Sequence, residues 1–158
     1  MLSHHHFDHG GGLERFFEIN QQAPLYLRES GGGQPQFRAF GVIKRPVSVN
    51  WEVLQRHRDR LKYASESTEI LPGIFLLTKI PDLHERPRGN RHLFVEKDGA
   101  ATRDPFDHEL MMVIHEEDGM VVFTGCSHRG VLNMIDAAIE HFPGVPIKAV
   151  LGGFHLIG

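Results

Sequence analysis

Residues 4 to 9 read His4-His5-His6-Phe7-Asp8-His9 and run directly into Gly10-Gly11-Gly12. In an extended turn, alternation points His4 and His6 to one side, and Asp8 and His9 add a carboxylate and a third imidazole at an adjacent position. Borderline nitrogen donors plus one hard oxygen, with no flexible linker between them, are what two neighbouring metal ions need. His5 falls between two ligands and is expected to point away from the metals. Two plainer readings stand beside this one. Three consecutive histidines near an N-terminus are also how an expression tag begins, although a tag would be uniform and would not continue as Phe-Asp-His-Gly-Gly-Gly-Leu. A histidine-rich loop can also take up metal adventitiously.

A second polar cluster follows an apolar run at Val121-Val122-Phe123-Thr124-Gly125-Cys126-Ser127-His128-Arg129-Gly130. In layered α/β structures functional groups collect where strands give way to loops, which makes His128 a candidate ligand. A helix-capping or surface histidine is the alternative. His155 repeats the arrangement: an apolar strand, then Gly152 and Gly153 for close backbone approach, then an imidazole. Cys126 has three readings, as a packed and inert thiol, as a soft ligand or close neighbour of a metal, and as a nucleophile. His57, His84, His92, His115 and His141 have no constellation around them and read as surface or strand-end residues.

The elements that must position these groups follow from periodicity. Leu13, Phe16, Phe17 and Ile19 predict a short helix bounded by Pro24, and Gly31 to Pro35 reads as an exposed loop. Val49 to Ala64 reads as a helix with Asn50 as its N-cap and with Arg56, Arg58, Arg60 and Lys62 on a solvated face. Strand patterns begin at Glu69. Ile70 to Ile80 contains a Pro72-Gly73 turn, and Glu109 to His115 with Met120 to Thr124 form a hairpin marked by Asp118-Gly119. A helix is expected from Gly130 to His141, stopped by Pro143-Gly144, and a buried strand from Ile147 to Leu151. Asp136 and Glu140 fall on that helix's solvent face.

Composition sets outer bounds. A chain of 158 residues, 41% hydrophobic and 23% charged, has enough material for a respectable core. A formal net charge of −3 gives no electrostatic reason to expect nucleic acid. No apolar run approaches the length of a membrane span, so no membrane partner is expected. One cysteine allows no intramolecular disulfide, which points to a cytoplasmic setting. The oligomeric state is left open.

The His4–His9 loop resembles the signature loop of the metallo-β-lactamase superfamily, where such a loop follows a strand and opens a helix. Gly125-Cys126-Ser127-His128-Arg129-Gly130-Val131-Leu132-Asn133 and Gly152-Gly153-Phe154-His155-Leu156 are similar to a branch that includes synthases of a dihydropterin–ribofuranosylaminobenzene phosphate. Ile70 to Ile74, Lys79 to Pro81 and Asp104 to Leu110 fall where that branch has similar stretches. The resemblance implies an α/β fold, the αββα sandwich, with residues 1–158 forming a single partial domain. Family members have several strands before the loop and continue beyond the Gly-Gly-Phe-His segment, so the chain is expected to be cut short at both ends. Missing a layer, it is expected to be marginally folded, aggregation-prone and catalytically poor.

The same resemblance implies a ligand set. His4, His6 and His128 would hold one ion and Asp8, His9 and His155 a second. Zinc is the expected metal, as one or two ions, with manganese or iron as alternatives. Asp8 would also orient the attacking hydroxide and so act catalytically. The superfamily often places a bridging aspartate after a Phe-Thr-Gly strand end, and Cys126 occupies that position here, which leaves the number of ions open. Oxidoreductase members use iron and usually carry a glutamate in place of the second histidine of the motif, so His6 argues against that route. The implied activity is metal-dependent hydrolysis of an ester, thioester, amide or phosphoester, with a small-molecule substrate as the partner. A pterin-linked synthase and a non-catalytic metal-binding fragment are the alternatives. His108 lies in a shared stretch and is a candidate substrate contact.

Overall fold

Two-residue turns and one βαβ crossover account for most of the architecture. The computed structural model describes residues 1–29 and 31–156. In chain order the elements are α1 (Phe7–Gly10), α2 (Leu13–Ile19), β1 (Leu25–Leu27), β2 (Gln34–Ala39), β3 (Ile43–Pro46), α3 (Trp51–Arg56), β4 (Leu61–Tyr63), β5 (Thr68–Leu71) and β6 (Ile74–Leu77). They continue with β7 (Leu93–Lys97), β8 (Ala100–Arg103), β9 (Met111–Glu116), β10 (Gly119–Phe123), α4 (Val131–His141) and β11 (Ile147–Leu151). Helices and mixed sheets together make the expected α/β class. The chain divides into two compact units, Met1–Tyr63 with Arg91–His108, and Ala64–Asn90 with Glu109–Gly158.

The first unit holds a four-stranded antiparallel sheet, β3-β2-β7-β8, and a parallel pair, β1-β4. Its core is Leu2, Leu13, Phe17, Leu25, Leu27, Val49, Val53 and Leu54. The second unit holds a five-stranded sheet, β11-β10-β9-β6-β5, parallel only between β10 and β11. Helix α4 makes the crossover between those two parallel strands, the connection that parallel neighbours require. Its buried Met134, Ala137 and Ala138 pack with Met111, Val113, Met120 and Val122 of β9 and β10. No helix among the described residues is long and apolar enough to cross a membrane.

Several expectations need correction. The helix expected over Val49 to Ala64 stops at Arg56. Asn50 does cap it, its side-chain oxygen accepting from Glu52 and Val53 N–H at 3.0 and 3.4 Å. After Leu54, however, the positions one turn on are His57, which stacks on Phe17 at 4.2 Å, and exposed Arg58, so the apolar stripe does not continue. The chain instead forms a short 3-10 turn at Arg58–Arg60, and Leu61–Tyr63 takes up backbone bonds as β4 beside β1. Nor is the basic face simply solvated. Arg60 donates to Ala23 and Asn20 carbonyls and covers the Phe17 ring at 4.7 Å, while Arg56 pairs with Glu14 at 2.7 Å.

Strands also begin well before Glu69. Gln34 and Pro35, read as loop, open β2, and β1, β3, β7 and β8 were not anticipated. The β7–β8 hairpin had a legible signal: Asp98 and Gly99, with φ of 52° and 79°, form the two-residue turn that a twisted hairpin favours. Pro72-Gly73 turns β5 into β6 as predicted, and the β9–β10 hairpin forms with Glu117-Asp118 as its turn, one residue before the Asp118-Gly119 pair that marked it, because Gly119 already pairs with Glu116.

Candidate metal centre

In the first unit, backbone pairing fixes the histidine loop in extended form. Leu2 N–H donates to the Tyr26 carbonyl at 2.7 Å, Val49 N–H to His5 at 2.8 Å and Phe7 N–H to Val47 at 2.8 Å, with a bridge between His6 and Ser48. Extended backbone sends alternate side chains to opposite sides. His4 and His6 accordingly come together, ring centroids 4.6 Å apart, while His5 stacks on His108 and meets Trp51 edge-on. Helix α1 then folds the chain back so that His9 reaches His4 at 4.2 Å. Gly10 permits that return, since a Cβ there would meet Val49 Cγ2 at 2.5 Å.

Ser3 Oγ lies 3.1 Å from His4 Nδ1 and 3.3 Å from His9 Nδ1. A hydroxyl oxygen with two lone pairs can accept from both, which leaves each Nε2 lone pair to serve as a ligand. Asp8 is half-exposed, its carboxylate 3.6 Å from His9 Nε2.

Sequence reasoning missed Asp104 in this unit. Its Oδ2 lies 3.3 Å from His108 Nε2 and 3.9 Å from His6 Nε2, and its Oδ1 accepts from Phe106 N–H at 2.7 Å. Burial by itself would raise this carboxyl, but the hydrogen bond with His108 and the nearby His6 imidazole outweigh it and hold Asp104 well below the usual carboxylate range. The His5 amide donates into His108 Nδ1 at 3.2 Å, so the proton of neutral His108 sits on Nε2, facing Asp104. His108 is 2% exposed and partners a buried carboxylate. Donor atoms of His6, Asp104 and His108 lie within 4.8 Å of one another. The signal was present as a carboxylate and an imidazole four residues apart around Pro105-Phe106. His5 is pushed down to about 3 by burial and then by His108, which keeps its ring neutral.

In the second unit the fold gathers the donors. β10 and β11 run parallel and adjacent, so their C-terminal ends open side by side, where ligands bind in such sheets. His128 follows the first end and His155 the second, and their ring centroids are 4.4 Å apart. The close approach depends on glycine: a Cβ on Gly152, where φ is 147°, would overlap the Thr124 carbonyl. Gly153 N–H donates to Gly125 and Ser127 Oγ to Gly153, both at 2.7 Å. Ser127 and His155 hold φ of 56° and 45°, strain of the kind that collects at functional sites.

His128 is clamped. Asn90 Nδ2 donates to the His128 carbonyl at 2.6 Å, which leaves Asn90 Oδ1 to accept from His128 Nδ1 at 2.9 Å. That fixes the proton on Nδ1 and presents Nε2 as a lone pair. Buried Glu109 accepts from the His128 and Arg129 amides at 2.9 and 2.8 Å. Neither Asn90 nor Glu109 carried a spacing signal. Half-buried Cys126 is not packed away: its Sγ and the donor nitrogens of His128 and His155 lie within 4.8 Å of one another.

Within the first unit, then, His4, His6 and His9 come together with Asp8 at the margin. Within the second, His128, His155 and Cys126 do so. Imidazole nitrogens with one thiol and nearby carboxylates suit a borderline metal ion, and the hydrogen bonds that the rings donate to Ser3 and Asn90 turn their other nitrogens toward ligand duty.

Comparison with known proteins agrees with this chemistry. The chain is 30% identical, over 99% of its length and 55% of the relative's, to 7,8-dihydropterin-6-methyl-4-(beta-D-ribofuranosyl)-aminobenzene-5'-phosphate synthase of Methanocaldococcus jannaschii. It is 25% identical, over 100% of its length and 57% of the relative's, to the uncharacterized protein MJ0448 of the same organism. The chain thus spans about half the length of the curated relatives it matches. Among solved structures, Tm1679, described as a metal-dependent hydrolase of the beta-lactamase superfamily, superposes with a TM-score of 0.77 at 33% identity, covering 99% of this chain and 56% of that one. Residues 1–138 match the family described as the Metallo-beta-lactamase superfamily. With its histidine loop, its two strand-end histidines and this match over most of its length, the chain belongs to the metallo-beta-lactamase superfamily.

Proposed function

We propose that this chain carries the metal-binding residues of a metal-dependent hydrolase acting on a small ester, thioester, amide or phosphoester. The observation that carries the reading is the gathering of His4, His6 and His9 in one unit and of His128, His155 and Cys126 in the other. Zinc fits nitrogen donors with a nearby thiol best, as one or two ions, with manganese or iron as alternatives. When bound, such ions supply a Lewis acid and lower the pKa of a coordinated water.

The side chains supply the rest. His4, His6 and His9, with Asp8 beside them, are the ligands proposed in the first unit, and His128, His155 and Cys126 those proposed in the second. Ser3 and Asn90 hold the rings that face the ions. Asp8, the most exposed of the carboxylates near the loop, is free to orient water and accept its proton. A single cysteine favours a cytoplasmic setting.

Metal content tests the reading. Purified protein dialysed against metal-free buffer should retain zinc, manganese or iron at a fixed ratio to chain, and the His4→Ala, His6→Ala double variant should lose it. Unchanged content in the double variant would sink the assignment. A second reading, a pterin-linked synthase, is favoured by the identity to the archaeal synthase. Metal-dependent turnover of nitrophenyl esters or phosphodiesters supports hydrolysis, and metal retention without it shifts weight to the synthase or to a non-catalytic metal-binding fragment.

A further inference from the structure

The chain carries a formal net charge of −3, yet one face of the first unit's four-stranded sheet is basic. Arg38 stands opposite Lys44 across β2 and β3, Gln36 opposite Phe94 across β2 and β7, and Phe94 opposite Arg103 across β7 and β8. Directly opposed residues point to the same side of a sheet, and so do residues two apart on one strand. Arg38, Lys44, Phe94 and Arg103 therefore share a face. Arg91 and His92 come just before β7, and these side chains together line one open cavity of about 540 Å³. Four cationic side chains line it and, among the described residues, no carboxylate does. Its volume falls within the range of small-molecule sites.

The cations are held in place without being neutralised. Glu96 pairs with both Arg38 and Lys44, one carboxylate for two positive charges. Arg91 and Arg103 pair with no carboxylate among the described residues. Arg103 instead lies against the Phe94 ring, its guanidinium carbon 4.6 Å from the centroid, with Arg38 over the same ring at 5.8 Å. Arg91 Nε donates to His92 Nε2 at 3.0 Å, and His92 Nδ1 donates in turn to the Arg38 carbonyl at 3.2 Å. Stacking and a single Nε bond orient the two guanidiniums and spare their terminal amino groups, the fork that binds oxyanions through paired hydrogen bonds. Like charges gathered in a concave site attract an anion of more than one charge. The turn between β2 and β3 adds an apolar surface beside the cations, since Phe40 and Val42 line the same cavity and are 89% and 86% exposed.

We propose that this cavity binds the phosphate monoester of a small apolar or aromatic compound, the phosphate held by Arg91 and Arg103 and the apolar body laid against Phe40 and Phe94. Arg38 and Lys44, shared with Glu96, add positive field around the phosphate. The site does not depend on the metal reading, because none of the proposed metal ligands lines it.

Benzylphosphonate is the probe, since its carbon–phosphorus bond resists hydrolysis and it is a dianion at mildly alkaline pH. It is titrated into metal-loaded protein isotope-labelled at phenylalanine, with the Phe94 ring signal in the NMR spectrum identified by its loss in Phe94→Leu. That signal should shift saturably. Benzyl alcohol, the same ring without the anion, should bind at least about tenfold more weakly, and Arg103→Gln should weaken benzylphosphonate about tenfold, the ratio expected for losing a hydrogen bond between charged groups. Arg91→Gln should do likewise. Both arginines are exposed, so neither change disturbs the core. Lys148→Gln removes a cation from the second unit and should leave the affinity unchanged. No saturable shift, equal affinity for the alcohol, or equal losses from Lys148→Gln and Arg103→Gln would overturn the proposal. Unchanged affinity in Arg103→Gln would overturn it too, placing the anion elsewhere, at the metal ions for instance. So would binding to phosphatidic acid vesicles with no shift from benzylphosphonate, which would make the face a lipid-headgroup surface.

Discussion

The two halves of the donor set reach their places by different routes. In the first unit His4, His6 and His9 are covalent near-neighbours. Extended backbone and one short helical turn bring their rings within 4.6 Å, and Ser3, the residue before them, supplies the shared hydrogen bond. In the second unit His128 and His155 are separated by a helix and a strand. They meet only because β10 and β11 pair in parallel, and they depend on Gly152, Asn90 and Glu109 to hold the meeting point. Two donor groups, one written into local sequence and one into topology, should fail in two ways. Loss of a supporting residue in the topological half should reach stability and metal together, while loss of the supporting Ser3 in the local half should reach metal alone and only mildly.

The largest effect is expected at Gly152→Ala. The new Cβ would overlap the Thr124 backbone, and φ of 147° is strained for any side chain. We expect a loss of about 3 kcal/mol in urea unfolding, together with weakened metal retention through His155. A loss within about 0.5 kcal/mol, the range of an ordinary surface change, would mean that the two strand ends tolerate a wider gap.

Asn90→Leu comes next. It removes the acceptor at His128 Nδ1 and frees the ring to rotate or change tautomer. Zinc affinity, measured by competition with a chromophoric chelator, should fall roughly 10- to 100-fold, while Asn90→Asp, which keeps an acceptor, should fall far less. Identical affinity for Asn90→Leu and the parent would show that Glu109 alone orients His128 through the backbone.

Ser3→Ala is expected to do least. His4 and His9 lose a shared partner, but the paired backbone still holds their rings together. The affinity loss should stay at or below about tenfold in the same assay. A larger loss than that of Asn90→Leu would reverse the contrast and make the local half the fragile one.

This difference also explains what could be read beforehand. The spacing His4-x-His6-x-Asp8-His9 translates directly into geometry, because alternation along an extended chain needs no distant partner. His128 and His155 were legible as glycine-bounded strand ends, and Asn50 as a cap, for the same local reason. Asn90, Glu109 and Asp104 were not legible. Each acts on groups brought to it by sheet pairing or loop packing, and an isolated Asn, Glu or Asp looks like any other surface polar residue. The helix expected to run to Ala64 failed similarly: Leu61–Tyr63 has a helix-compatible pattern, but β1 offered backbone partners that outweighed it.

By itself, then, the sequence determined the donor chemistry, the extended histidine loop, the α4 helix, the Pro72-Gly73 turn and the presence of a hairpin near Asp118, all set by spacings of a few residues. Only the tertiary structure decided that His108 faces a buried carboxylate, that Cys126 lies beside His128 and His155, and that Arg38, Arg91 and Arg103 line a cavity with Phe94. Those outcomes depend on which strands pair and which faces close over one another. Such choices are made by the burial and hydrogen-bond balance of a whole unit, not by any one segment.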